Sequence, residues 1–570
     1  MDIDKNKIYC AIAQMNPTVG DYAGNTAKIL RWIDEAERKG ADLVVFPEAA
    51  LCGYPVWDLA NKKQFVDEGL KCLKRIAAAT KGKCAAVVLG FISRGASPEY
   101  RVSQNAFNSV AWLEKGNIRT IYHKQLLPTY DVFLEEIFFQ PGSETKIVSF
   151  KDHKIGLTIC EDIWDERYEV KPLAGLAKKK ADLVLNVSAS PYYRNVAAVR
   201  EQLLKKQTRR HGFPVLYVNQ VGGQDDLLFD GRSMFVDAKG RVLFRAPAFE
   251  EGLFFYDWDE YARSSSSGPL GTGPKMSCVP GSVCENSGIS SHSEIYDALV
   301  MGVRDYFRKN GFRKAVIGLS GGIDSALVAA IAVDALGEDA VKGVTMPGPF
   351  SSEGSWKDAE DLARALGIEF EVRSIREKYE AWLRETKLPV TQNPTLAMEN
   401  LQVRLRGMEL MFLSNHEGRL VLTTGNKSEL AMGYCTLYGD MAGGLAVIGD
   451  VYKTDVYRLA RYRNTIKKVI PESSLIKAPS AELRPGQKDQ DSLPPYDMLD
   501  EVLKLYIEKN LSRDEIIRRL RKKIPAAVVA DIICRVDHNE YKRRQTPPIL
   551  RVTEKAWFGR RMPITNRFRG

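Results

Sequence analysis

The sequence predicts an α/β protein built as two successive domains, the second of them a doubly wound parallel sheet. Three observations predict it. At 570 residues the chain is too long for one core, since single cores stop growing near ~250–300 residues. Strand-like runs alternate with helical ones in both halves. Between the halves the composition changes, at Ser264-Ser265-Ser266-Ser267-Gly268-Pro269-Leu270-Gly271-Thr272-Gly273-Pro274, a stretch rich in turn formers and poor in apolar residues.

In the first half, residues 8–14 read as a strand. Ile29, Trp32, Ile33 and Ala36 recur at helical spacing, and residues 41–46 form an apolar strand that ends at Pro47-Glu48. Further strands fit 85–89, 106–113, 154–159, 182–187 and 215–219. In the second half a helix starts at Ser293. Residues 315–319 are then a compact strand running into a glycine turn and an apolar helix at 326–336, and another strand fits 420–424. Strand, helix, strand in that order is what a parallel sheet needs. The domains are placed at 1–261 and 291–570, with a connector at 262–290.

With 44% apolar and 27% charged residues, each half can bury a core. The opening Met1-Asp2-Ile3-Asp4-Lys5 lacks a basic and apolar leader, and no apolar run approaches the ~20 residues that span a bilayer. A cytoplasmic protein is expected. Nine cysteines without a Cys-x-x-Cys pair, and six histidines, give neither a zinc framework nor a disulfide scaffold. A net charge of +10 suits anionic substrates, but over this length it is not a nucleic-acid signature.

The sharpest motif is Ser320-Gly321-Gly322-Ile323-Asp324-Ser325, between a strand and a helix. Two glycines let backbone approach an anion, amides at the helix start attract phosphate, and two serines add hydroxyl donors. No Gly-Lys-Ser/Thr follows, so it is not a Walker loop. It resembles the pyrophosphate loop of the N-type ATP pyrophosphatases. Later stretches narrow the resemblance to the NAD synthetases over about 290–550: Glu399-Asn400-Leu401-Gln402-Val403-Arg404-Leu405-Arg406, Thr424-Gly425-Asn426-Lys427-Ser428-Glu429, Tyr438-Gly439-Asp440, Lys453-Thr454 and Pro479-Ser480-Ala481-Glu482-Leu483. The resemblance implies that ATP is contacted by Gly318, Leu319, Ser320, Gly321, Gly322, Ile323, Asp324, Ser325, Thr424, Lys453 and Ser480. It implies magnesium at Asp324 and Glu429, and deamido-NAD at Asn400, Arg404, Glu429 and Lys542. Hard carboxylates suit magnesium shared with phosphates. Glu399, Arg404 and Arg406 on a helix would ordinarily be surface charges; of these, Arg404 is the one assigned a function.

In the first half, Glu48, Lys124 and Cys160 each lie at or just past a strand end. A carboxylate can take a thiol proton, the thiolate can attack an amide carbon, and a cation can steady the oxyanion. A cysteine closing an apolar strand before Glu161-Asp162 would stand on a sharp turn at a sheet edge. Singly, each residue reads as ordinary structure. The words around them, Phe46-Pro47-Glu48, His123-Lys124-Gln125-Leu126-Leu127-Pro128 and Cys160-Glu161-Asp162-Ile163-Trp164, resemble the Glu-Lys-Cys triad of the nitrilase superfamily over about 7–260. That resemblance implies a four-layer α-β-β-α sandwich, Cys160 as nucleophile, Glu48 as base and Lys124 as oxyanion partner. It also implies that Tyr130, Ser188 and Arg194 hold the glutamine backbone. One loop departs from the family's charged pattern, at Leu134-Glu135-Glu136-Ile137-Phe138-Phe139-Gln140-Pro141-Gly142. Glu135 is kept, as a carboxylate expected to support the triad.

The two resemblances imply one circuit. Glutamine yields ammonia at the first site, and ammonia amidates an adenylated deamido-NAD at the second. The implied partners are small molecules, with no nucleic acid and no membrane, and the superfamily's habit of associating through the nitrilase layer implies a homo-oligomer. An amidase fused to a tRNA-modifying ATP pyrophosphatase would bring an RNA module or paired redox cysteines, and neither is present. A scaffold without catalysis would not need Glu48, Lys124 and Cys160 together.

Overall fold

The computed structural model describes residues 7–95, 106–259 and 291–567. The chain divides into two compact units, Met1–Gln224 with Leu228–Gly288, and Asp225–Leu227 with Ile289–Gly570. The connector expected at 262–290 lies outside the described residues.

The strands of the first unit are β1 (Lys7–Gln14), β2 (Leu43–Val45), β3 (Ala86–Arg94), β4 (Ala106–Glu114), β5 (Asn117–His123), β6 (Ile147–Phe150), β7 (His153–Ile159), β8 (Leu183–Ser188), β9 (Val215–Asn219), β10 (Val221–Gln224), β11 (Leu227–Asp230), β12 (Met234–Val236), β13 (Val242–Arg245) and β14 (Gly252–Asp259). Twelve of them build two six-stranded sheets, β14-β1-β2-β3-β4-β5 and β13-β12-β9-β8-β7-β6, and β10 pairs with β11 in a two-stranded sheet. Side chains alternate across a strand. Ile8, Cys10 and Ile12 of β1 therefore point the same way as Val88 of β3, and they meet Ile155, Leu157, Ile159, Leu183, Leu185 and Val187 of the other sheet in one buried cluster. This is sheet-on-sheet packing.

Helices close the two outer faces. Pro172–Lys178 and Val196–His211 pack Leu173, Leu176 and Leu204 against Val184, Val215 and Tyr217. On the other side, Tyr22–Arg38 packs on Lys63–Ala79, which packs on β3. The helix read from Ile29, Trp32, Ile33 and Ala36 buries those four residues, and Asp21 caps it by accepting from the Gly24 amide. The four-layer α-β-β-α sandwich is present as the sequence implied. β2 is shorter than the strand read at 41–46, because Pro47 has no N–H with which to continue the ladder.

In the second unit, β15 (Ala315–Gly318), β16 (Val341–Thr345), β17 (Glu369–Val372), β18 (Leu420–Thr423) and β19 (Leu445–Ala446) form one parallel sheet in the order β17-β16-β15-β18-β19. The chain winds outward from β15 through β16 to β17, then returns to the other side of β15 with β18. The connections leaving β15 and β18 thus diverge, and the C-terminal ends of this pair are the topological switch point at which ligands bind in such sheets. The helix Ile323–Leu336 is buried along its length from Ile323 to Ala332, apart from a half-buried Asp324, and an apolar surface all round explains that depth. It starts three residues earlier than the apolar run suggested, directly from Gly322.

Gly90 of β3 shows how closely the first unit is packed around Glu48. A Cβ there would lie 2.3 Å from Pro47 O and 2.4 Å from Ala49 N. Gly90→Ala is therefore expected to lower the first unit's stability by roughly 1–3 kcal/mol, moving its calorimetric transition down by several degrees. An unchanged transition would mean that the 47–49 turn yields without cost.

Candidate active sites

Two strand ends and a helix start of the first unit meet around one lysine. β2 leads into Glu48, β5 into Lys124, and a short helix, Glu135–Phe138, begins with Glu135. Lys124 Nζ is 2.8 Å from Glu48 Oε1 and 2.8 Å from Glu135 Oε1, with all three side chains almost fully buried. Each carboxylate is fixed from another side as well. Asn108 Nδ2 donates to Glu48 Oε1 at 2.7 Å, the Ala189 amide donates to Glu48 Oε2 at 2.7 Å, and the Tyr54 hydroxyl donates to Glu135 Oε1 at 2.8 Å. The Lys124 backbone is pinned too, its amide to Asn108 O and its carbonyl by the Gly142 amide. Gly142 has to be glycine-sized, because a Cβ would stand 2.2 Å from His123 O.

Cys160 follows β7 and opens a 3₁₀ turn, Cys160–Ile163, at φ +41°. A left-handed conformation in a residue with a Cβ costs on the order of 1 kcal/mol, so something must hold it. Asp162 does. Its Oδ2 accepts from the Ile159 amide at 2.8 Å and the Tyr122 hydroxyl at 2.7 Å, and its Oδ1 accepts from the Gln125 and Leu126 amides at 3.1 and 3.0 Å. One buried carboxylate thus joins the turn that carries the thiol to the loop that carries Lys124. The turn is sharp, as the sequence suggested. The strand it ends is not at a sheet edge, however: β7 lies between β6 and β8.

Burial pushes the Cys160 thiol well above its ordinary value; Glu48 adds to this and Lys124 opposes it. For Lys124 burial alone would act downward, but Glu135, Glu48 and Cys160 outweigh it and hold the ammonium charged. Burial raises Glu135 to about 7 against the pull of Lys124. A neutral thiol that feels the charges of a fixed cation and a carboxylate can carry out acyl transfer to sulfur.

Of the other residues expected here, Ser188 is fully buried and donates to Asn186 Oδ1 at 2.7 Å, next to the Ala189 amide that holds Glu48. Tyr130 is 45% exposed and donates to both oxygens of Glu161 at 3.0 Å. Arg194 is half-buried just before the helix Val196–His211. Glu161 itself was missed. It is buried, accepts from Tyr130 and Tyr168, and adjoins Cys160, but in sequence it is only an acidic neighbour of a cysteine.

The second unit carries a cavity of about 450 Å³ at the ends of β15 and β18. Its wall includes Gly318, Leu319, Ser320, Gly322, Ile323, Asp324, Ser325, Asn400, Thr424, Glu429, Lys453, Ser480 and Lys542, which brings most of the expected residues together. The loop folds on itself: Ser320 Oγ accepts from the Gly322 amide at 3.2 Å, and Ser325 Oγ donates to Gly322 O at 3.0 Å. Gly321 has φ +76°, and a Cβ there would fall 2.2 Å from Ser355 O. Lys453 Nζ binds Asp324 Oδ2 and lies 3.4 Å from Glu429 Oε1. Burial raises Glu429 to about 8, with Lys453 opposing and Asp324 adding.

Three residues sit differently from what was expected of them. Arg404 is not in the cavity wall and donates to Leu437 O. Arg406, which helical charge alone would put at the surface, lines the cavity and donates to Met346 O at 3.0 Å. Ser480 lines it, but its hydroxyl is committed to its own loop, donating to Gln487 O and accepting from the Glu482 amide. Among the described residues, no group of three or more His, Cys, Asp or Glu could hold a metal ion by itself.

The carbon-nitrogen hydrolase family model matches residues 10–265, and the NAD synthase model matches residues 295–546. The chain is 44% identical to a glutamine-dependent NAD(+) synthetase of Thermotoga maritima, over 99% of each chain. It is also 44% identical to one of Synechocystis, over 98% of each. Among solved structures it resembles the glutamine-dependent NAD+ synthetase of Acinetobacter baumannii in complex with ADP, at 37% identity and a TM-score of 0.73, covering 98% of this chain and 99% of that one.

Lys124→Met tests the electrostatics. Without the ammonium, the pull that opposes burial at Glu135 is gone and its carboxyl moves further up. A carboxyl whose folded value exceeds its unfolded ~4.3 binds more protons folded than unfolded, so stability is retained at low pH and lost as pH rises. Against the parent, the variant should lose little near pH ~5 and roughly 3–5 kcal/mol near pH ~8, read from denaturant unfolding of the first unit. A deficit independent of pH would contradict the assignment.

Proposed function

The chain belongs to the glutamine-dependent NAD synthetase family, an enzyme family joining a carbon-nitrogen hydrolase domain to an NAD synthase domain, and from that premise we propose how its own residues do the work. The observation that carries the reading is the buried Lys124 held by Glu48 and Glu135, whose charges act on the Cys160 thiol.

Glu48 takes the thiol proton and the sulfur attacks the carboxamide carbon of glutamine. The developing oxyanion is stabilised by Lys124, which needs no reorganisation because it is already charged and fixed. Glu48 returns the proton to the leaving nitrogen, ammonia departs, and water hydrolyses the thioester to glutamate. Tyr130, Ser188 and Arg194 hold the substrate backbone, the guanidinium matching the α-carboxylate with two parallel hydrogen bonds. Glu161 supplies the negative charge that the α-ammonium requires.

At the second site the 318–325 loop, Thr424 and Lys453 bind ATP, Ser480 offers that site its backbone since its hydroxyl is taken, and Asn400, Glu429 and Lys542 face deamido-NAD, whereas Arg404 stands outside the cavity wall. The nicotinate carboxylate attacks the α-phosphorus, pyrophosphate leaves, and ammonia displaces AMP from the acyl-adenylate to give NAD. Asp324 and Glu429 suit magnesium: both are hard oxygen donors and both reach one cation, the Lys453 ammonium. Two carboxylates are too few for a protein-only site, so phosphate oxygens and water would complete the shell. Bound there, magnesium would neutralise phosphate charge. ATP and glutamine as substrates fit a cytoplasmic enzyme. No helix among the described residues is long and apolar enough to cross a membrane. Exposed Met408 and Phe412 on the helix Leu396–Glu417 suit assembly as a homo-oligomer.

Cys160→Ala removes the sulfur and leaves a small side chain. Glutaminase activity and glutamine-driven synthesis should fall to background, while synthesis from ammonium at mildly alkaline pH continues; loss of both in a folded variant would contradict the separation. Asp324→Asn should have the opposite effect, losing synthesis with either nitrogen source by at least roughly a hundredfold and retaining glutaminase. NAD formation at the parent rate would remove Asp324 from the site.

A further inference from the structure

We infer that Lys477 is the cation that receives the pyrophosphate leaving group at the 318–325 loop, leaving Ser355 and Glu482 to do so; the inference rests on the reading of the second site given above.

The wall of the cavity carries four cations, Arg406, Lys453, Lys477 and Lys542, against six carboxylates, Asp324, Glu399, Glu429, Asp440, Glu482 and Asp489. A triphosphate therefore enters a wall with no surplus of positive charge, and what matters is which cation stands near the loop and what holds it. Lys453 is 2% exposed and already bonded to Asp324 and Glu429. Lys542 is held by Gly433 O and Cys435 O at 2.7 and 2.8 Å, and Arg406 by Met346 O. Lys477 differs in two respects.

First, it is tied to the phosphate loop from both sides. Its ammonium is hydrogen-bonded to Ser355 Oγ, and Ser355 O is the atom that a Cβ on Gly321 would strike at 2.2 Å. Three residues before it, Ser474 Oγ donates to Gly321 O at 3.0 Å. Second, its resting partners have other donors. Glu482 Oε1 is 3.4 Å from Lys477 Nζ but also accepts from Ser355 Oγ at 2.6 Å and Ser352 Oγ at 2.8 Å, while its Oε2 accepts from the Ser352 amide. If the ammonium swings away, Glu482 is left hydrogen-bonded, so the move does not strand a buried charge. Lys477 is also 35% exposed, and a four-carbon stem gives it reach. The loop that carries it is rigid: Glu482 is at φ +48°, Gln402 Nε2 donates to Leu483 O at 2.9 Å, and Ser480 is spent on the loop's own bonds. Within 477–483, the long flexible cationic group presented to the cavity is Lys477.

In the adenylation step the carboxylate oxygen forms a bond to the α-phosphorus and the bond from that phosphorus to the α,β-bridging oxygen breaks. The electron pair goes to that oxygen, which leaves on pyrophosphate, and no proton need move. Negative charge grows on the leaving group, and a lysine free to follow it stabilises the transition state more than the bound ATP.

The test compares Lys477→Gln, Lys477→Arg and Glu482→Gln in the full chain. Two quantities are read, kcat in the ammonium-driven reaction and pyrophosphate binding by calorimetry. Lys477→Gln should lower kcat and raise the pyrophosphate Kd, each roughly tenfold to a hundredfold. Lys477→Arg should restore most of both; glutaminase should be unchanged in all three variants, and the calorimetric unfolding of the second unit should match the parent's as a control for folding. Glu482→Gln keeps the ammonium and weakens its resting place, so pyrophosphate should bind as well as in the parent or more tightly. If Lys477→Gln binds pyrophosphate within twofold of the parent, the inference is overturned. Equal weakening by Lys477→Gln and Glu482→Gln would overturn it too, since Lys477 would then act only by holding Glu482. A parent protein that makes no NAD would instead defeat the proposed function, and the pyrophosphate titration would still decide the role of Lys477.

Discussion

An ammonium shut away from water is tolerable only when opposite charge surrounds it. Lys124 is 1% exposed with a carboxylate at 2.8 Å on each of two sides, and much of the first unit serves that one arrangement. The 47–49 turn lies so close over β3 that Gly90 has no room for a side chain, which sets Glu48. The loop through Gly142 lies equally close over His123, which sets Lys124 and the Glu135 segment. Asp162 then ties the thiol's turn to the same place through four donors. Breaking such a pair by removing one partner costs more than the pair contributes, because the survivor stays buried and charged. The geometry is therefore over-determined, as preorganised electrostatic catalysis requires.

The second unit answers to a topological constraint. Strand order β17-β16-β15-β18-β19 leaves a crevice where the connections from β15 and β18 part, and the chain places there a glycine turn, a helix start and Thr424. Carboxylates outnumber cations in that crevice, six to four. Affinity for polyanions then comes from backbone amides, from hydroxyls, and from cations that can change partners.

Much of this was legible in the sequence, and the reasons are specific. The sandwich helices and strands showed because burial of one face leaves a period in the apolar residues, as at Ile29, Trp32, Ile33 and Ala36. The loop at 320–325 showed because two glycines and two serines at a strand end have few other uses. Asp162 and Glu161 did not show: an acidic pair after a cysteine is unremarkable until the fold brings Tyr122, Gln125 and Leu126 to one and Tyr130 and Tyr168 to the other. Arg406 and Arg404 illustrate the same limit. Two positions apart on a helix, they face differently, and only packing against Met346 decides which one enters the cavity. Ser480 and Lys477 share a loop; Gln487 and Glu482 of the same stretch occupy Ser480, while the Ser355 that meets Lys477 is distant in sequence.

The most direct test of the account is product analysis by mass spectrometry after incubation with ATP, deamido-NAD and glutamine labelled with ¹⁵N in the side-chain amide. The account predicts NAD whose carboxamide carries the label, with AMP and pyrophosphate formed in equal amounts. It would be contradicted by glutamate and labelled ammonia without NAD, or by ADP and phosphate in place of AMP and pyrophosphate.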